Sequence, residues 1–255
     1  MVHGLDDLNR LKDFGLIDNV VLIPHGVSST VGIEKSIARQ QLDISNNITV
    51  IASYGFLLPH KGLEQLIQAF RLIVDEKPDA RLLMMNALYP NPISNDIFDK
   101  CNRLIKELHL EDQILLDTTF HSDDVSILWL SAADLIVYPY QGTNESASGA
   151  VRQGLASHRP VAVTPLPIFS DVEEQVHTLP GETPSQIARG IKAIMSSPDA
   201  CEKKSQMQEK WLREHSWENT SRRLAGLIEG LINHKSATAK LKNNNSNDLH
   251  QEHFL

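Results

Sequence analysis

Aromatic residues make up only 5% of this 255-residue sequence, cysteines number two, and basic residues form no block in its first 234 positions. Each scarcity excludes something. With a net charge of −8, the chain would repel a polyanion overall, so no nucleic-acid partner is expected. Cys101 and Cys201 lie far apart and lack the spacing of a zinc site or a disulfide framework. That usage fits a reducing compartment, and a cytoplasmic location is expected. No segment approaches the roughly 18 consecutive apolar residues of a membrane-spanning helix, and the opening MVHGLDDLNRLKDFG is charged throughout, unlike a secretory leader. Two phosphate-binding signatures are missing as well, Gly-x-x-x-x-Gly-Lys-Ser/Thr and Gly-x-Gly-x-x-Gly, which removes the main support for ATPase and dehydrogenase readings. No Asp-x-Asp loop, histidine cluster or cysteine ligand pattern calls for a metal.

What is present is an alternation of short apolar runs with longer segments of helical period, in a chain that is 41% hydrophobic. Strands are expected at 48–52, 81–85, 114–116, 134–138 and 161–163, with helices near 63–76, 93–108, 125–132 and 149–157. That order predicts an α/β fold, a doubly wound, Rossmann-like parallel sheet covered on both faces. After Thr164 the texture becomes helical, near 184–196, 201–215 and 217–233, with hardly a strand among them. Ahead of the sheet, a helix at 5–14 and a strand at 20–24 precede a loosely patterned run to Asn46. The expected organisation is a remnant of a preceding domain at 1–30, one Rossmann-like domain with C-terminal helices at 31–234, and an Asn-rich disordered tail at 235–255.

Ligands of open parallel sheets bind beyond the carboxyl ends of the strands. The residues there are Ser53, Tyr54 and Gly55; Asn86 and Ala87; Thr119, Phe120 and His121; and the loop from Tyr140 to Glu145. Hydroxyls, an amide, aromatic faces and one carboxylate should converge on a single rim. Two helix starts in this arrangement suit a diphosphate, since the first amides of a helix have no intrahelical acceptor and the macrodipole favours anions. One follows Lys61 and Gly62; the other opens at Ser148, Gly149, Ala150 and Val151. Lys61 reads as a phosphate contact and Glu145 as an acceptor for ligand hydroxyls. Gln153 shares their cleft only if the loop bends toward it. Asp123 and Asp124 read as an acidic helix start.

These residues resemble the retaining glycosyltransferases of family 4, also called group 1, in their donor-binding C-terminal domain. That family carries a Glu-x7-Glu motif followed by a small turn and Pro-Val-Val-Ala-Thr, which Glu145 to Gln153 and Pro160 to Thr164 match in order and spacing. It also carries a Gly-Arg, four residues and Lys-Gly, matched by Gly55, Phe56, Lys61 and Gly62. Two positions depart from the pattern: Phe56 stands where the family has a phosphate-binding arginine, and Gln153 where it has the second glutamate, which accepts ribose hydroxyls. The resemblance implies the C-terminal half of a GT-B fold and hexosyl transfer from a nucleoside diphosphate sugar, with retention and without a metal or other cofactor. It gives Lys61 and Glu145 the catalytic roles, meeting leaving-group charge and holding sugar hydroxyls. It places the donor against Gly55, Phe56, Asn86, Thr119, Phe120, His121, Ser148, Gly149, Ala150, Val151 and Gln153. It further implies a glycan or lipid-linked acceptor, with an N-terminal domain supplied in cis or in trans. Surface polysaccharide or lipopolysaccharide synthesis is the expected setting, at the inner face of the membrane where the acceptor is lipid-linked. The alternatives are a non-catalytic nucleotide-sugar-binding module, an inactive fragment, or an unrelated flavodoxin-like module.

Overall fold

The computed structural model describes residues 1–248 other than 17, 19 and 29–31. Its centre is a six-stranded parallel sheet of β1 (Val50–Phe56), β2 (Arg81–Ala87), β3 (Ile114–Asp117), β4 (Leu135–Tyr138), β5 (Val161–Val163) and β6 (His177–Thr178), in the order β3-β2-β1-β4-β5-β6. The order reverses between β1 and β4, the kind of switch point where open α/β sheets hold ligands. Around the sheet lie α1 (Leu5–Asp13), α2 (Lys35–Gln41), α3 (Leu63–Val74), α4 (Pro92–Glu107), α5 (Asp123–Ser131), α6 (Gly149–Ala156), α7 (Pro184–Met195), α8 (Pro198–Glu214) and α9 (Trp217–Asp248).

Alternation along each strand sends neighbouring side chains to opposite faces. Ile51, Leu135 and Val137 join one apolar cluster with α3, α4 and α7, whereas Val50, Ala52, Ile136 and Tyr138 join a second with α5, α6 and α8. Both faces are thus covered, which is why the strands read as continuous apolar runs. Helix α3 buries Leu63, Leu66, Ile67, Phe70, Ile73 and Val74 along one stripe, each worth about 1.5–3 kcal/mol relative to exposure. Caps fix several helix starts. Thr183 and Gln186 form a capping box on α7, and Asn91 caps α4 ahead of Pro92.

Several expectations change. The run before Asn46 contains α2, whose Arg39 is 1% exposed and donates to Ala132 O at 2.9 Å, Asn46 O at 3.1 Å and Asp134 Oδ2 at 2.8 Å. Its polar sequence KSIARQQ gives little helical signal, and the buried ion pair is what docks it. The stretch after Thr164 does contain a strand, β6, paired parallel to β5; its half-buried histidine and exposed threonine form no apolar run to betray it. The expected strand at 20–24 reduces to an isolated bridge between Val2 and Leu22. Helix α9 continues through Asp248, past the expected start of a disordered tail at Lys235. Ala, Lys and Leu in this stretch are strong helix formers. Positions 30 and 31, which flank the expected domain boundary, and 249–255 lie outside the described residues. Among the described residues, no helix is long and apolar enough to cross a membrane.

Candidate functional site

A cleft of about 440 Å³ opens at the carboxyl edge of the sheet. Of the residues the sequence assigns to a site there, Gly55, Phe56, Lys61, Thr119, Phe120, His121, Glu145, Ser148, Gly149, Ala150 and Gln153 line it. Asn86 does not. Strand β2 runs on to Ala87, so Asn86 is 1% exposed within the sheet, where its Oδ1 accepts from Ser53 Oγ at 2.7 Å. Val151 is fully buried in the core, and its N–H donates to Ser148 Oγ at 3.3 Å as part of the α6 cap. Neither side chain is presented to the cleft.

The two helix starts contribute unequally. Ser148, Gly149 and Ala150, at the mouth of α6, line the cleft, whereas Gly62 and Leu63, at the mouth of α3, do not. The α3 side supplies Lys61 from a short 3-10 turn, Pro59–Lys61, that ends at Gly62 with φ +66°. A Cβ on Gly62 would lie 1.8 Å from Pro139 O, so only glycine lets this turn press against the end of β4. Gly55 has φ +131°, and a Cβ there would sit 3.3 Å from the Ala150 methyl, which brings β1 close to α6.

Lys61 is nearly buried, with its side chain 10% exposed. Its Nζ lies 3.2 Å from Glu145 Oε2 and 4.1 Å from the centroid of the Tyr140 ring. The loop after β4 therefore does bend back, placing Glu145 and Gln153 in one cleft. His60 Nε2 is 3.2 Å from the other Glu145 oxygen but makes no hydrogen bond there, being off line for one. Burial, reinforced by Lys61, pushes its imidazole below the ordinary value against the pull of Glu145. The Gln153 amide nitrogen is buried without a partner. A buried donor left unpaired costs about 1–3 kcal/mol, and a ligand acceptor in the cleft would remove that cost.

Two features escaped the sequence reading, the role of Asp117 and the place of Asp123 in the cleft. Asp117, the last residue of β3, accepts from His121 Nε2 at 2.7 Å and from the Thr119 N–H at 2.8 Å. Partial burial raises its carboxyl, but these hydrogen bonds outweigh burial and hold it below the usual aspartate value. Its place at a strand end was the available signal. Asp123 lies in the first turn of α5 as expected and also lines the cleft. Arg152 is turned away from the cleft, 2% exposed, donating to Ser148 O at 2.9 Å and paired with Asp171. It braces the α6 mouth from behind.

The arrangement presents a lysine and the amides of a helix start to an anion, a carboxylate to hydroxyls, and aromatic faces to a planar ring. Several solved structures share this fold. Sucrose-phosphate synthase from Thermosynechococcus elongatus matches with a TM-score of 0.77 and 18% identity, over 91% of this chain and 57% of that one. Anabaena HepE, solved in complex with UDP, matches with a TM-score of 0.76 and 16% identity, over 90% and 63%. A curated D-inositol 3-phosphate glycosyltransferase from Thermobispora bispora is 24% identical over 196 residues, covering 75% of this chain. The chain spans 45% of that relative's length. Residues 34–211 match the family model described as glycosyl transferases group 1. With most of its length inside that match, the chain belongs to the group 1 glycosyltransferases.

Proposed function

We propose that the chain is the donor-binding, C-terminal part of a family 4 retaining hexosyltransferase, and that its cleft takes a nucleoside diphosphate sugar. The observation that carries this reading is the convergence of Lys61, Glu145 and the start of α6 on one cleft at the carboxyl edge of the sheet. The UDP held by HepE, on a similar fold, supports the same ligand class. In this reading Glu145 accepts hydroxyls of the hexose. The bond between the anomeric carbon and the diphosphate oxygen breaks, and Lys61 with the α6 amides meets the charge left on that oxygen. The hexose passes to a hydroxyl of a glycan or lipid-linked acceptor, whose proton is released. The acceptor is held mainly by an N-terminal domain, in cis or in trans. The setting is surface polysaccharide or lipopolysaccharide synthesis in the cytoplasm, at the inner face of the membrane for a lipid-linked acceptor.

Calorimetry with UDP, ADP and GDP tests the ligand class. One of the three is expected to bind, and Lys61→Ala to weaken it roughly threefold to tenfold, the range for an ion pair worth about 1 kcal/mol whose cation already has a carboxylate partner. Absence of binding by all three contradicts the reading.

A further inference from the structure

The cleft is poorly equipped for charge. Among its lining residues Lys61 is the one lysine or arginine, against two carboxylates, Glu145 and Asp123. Lys61 is already engaged by Glu145 and the Tyr140 face. Arg152, next to the α6 mouth in sequence, spends its guanidinium on Asp171 and Ser148 O. His121 is held by Asp117. At the α6 mouth, the N–H of Val151 is taken up by the cap. A diphosphate entering here meets one shared cation, the neutral amides of Gly149 and Ala150 and two anions, so each added phosphate gains little net attraction.

The cleft lining also carries two phenylalanines. Phe56 and Phe120 lie nearly parallel, with an interplanar angle of 10° and centroids 5.8 Å apart. Tyr89, outside the cleft lining, meets Phe56 edge-on at 5.1 Å. Phe120 is 75% exposed, leaving a face that a planar ring can cover. Stacking a base on such a face is worth enough that alanine substitution typically costs severalfold to a hundredfold in affinity.

We infer that this cleft takes its nucleotide chiefly by the nucleoside end, against Phe120 and Phe56, and that the two phosphates together add less than tenfold to affinity. The inference rests on the nucleotide reading above and fixes where, in that ligand, the binding energy lies. It is tested by titrating the full chain with uridine, UMP and UDP, the matching adenosine and guanosine series, and inorganic pyrophosphate. In the series that binds, the dissociation constant is expected to fall by less than tenfold from nucleoside to diphosphate, and pyrophosphate to show no saturable binding. Phe120→Ala, a change at an exposed side chain that leaves the core intact, should weaken nucleoside and diphosphate alike by tenfold or more, with Phe120→Tyr restoring them. A diphosphate that binds tenfold or more tighter than its nucleoside, or unchanged affinities in Phe120→Ala, overturns the inference and leaves the nucleotide reading standing. No binding in any series overturns both.

Discussion

Asp134→Ala is expected to destabilise the fold by about 3–5 kcal/mol, the range for removing one partner of a buried ion pair. Asp134 holds three groups at once: Arg39 Nη2 at 2.8 Å, Lys35 Nζ at 2.7 Å and the Val50 N–H at 2.8 Å. Its loss leaves the guanidinium of Arg39, 1% exposed, buried among carbonyl oxygens with no counter-charge, and frees the first amide of β1. Burial raises the Asp134 carboxyl, yet the hydrogen bonds from Lys35 and Val50 and the charges of Lys35 and Arg39 hold its value below the ordinary 3.8. A depressed native value means that the contribution is fully present above about pH 4 to 5 and is lost as pH falls through the native value. Denaturant unfolding of the wild type and of Asp134→Asn across pH 2–7 checks this. The wild type should lose stability toward acid more steeply than the variant, and equal slopes would show that Asp134 does not carry the effect.

Gly62→Ala is expected to cost roughly 3 kcal/mol and to lower affinity for the diphosphate as well. Two penalties coincide at this residue. A left-handed backbone at φ +66° strains any side chain, and the new Cβ meets Pro139 O at 1.8 Å, a backbone atom at the end of β4 that cannot swing aside. Relief requires the Pro59–Lys61 turn to lift from β4, which carries Lys61 away from Glu145. Thermal denaturation and diphosphate titration of the same variant measure both effects. A variant with wild-type melting and wild-type affinity would mean that the turn is not held against β4.

The fold was legible wherever burial on both faces forced continuous apolar runs, as in β1, β2, β4 and β5, and wherever helical period and caps agreed, as in α4 and α7. It was not legible where tertiary partners did the work. Helix α2 is polar and held by the Arg39–Asp134 pair across 95 positions of sequence, a distance no local pattern spans. Strand β6 is two residues long, below the length at which alternation can be read. At the site, the strand-edge rule placed Gly55, Thr119, Phe120, His121 and Glu145 around one cleft. It failed for Asn86 because the ends of β1 and β2 pair further than their apolar runs suggest, as far as Phe56 and Ala87. That extension turns the Asn86 amide into the sheet. It failed for Asp117 because a carboxylate ending a strand gives no sign of what it will orient until His121, four residues on in the loop ahead of α5, is seen in place.

The most direct measurement of the central claim is a crystal structure of this chain grown with UDP, or with whichever nucleoside diphosphate the titrations select. The account predicts diphosphate density between Lys61 Nζ and the amides of Gly149 and Ala150, with the base against Phe120. Density for the nucleotide outside this cleft, with Lys61 still paired only to Glu145, would contradict it.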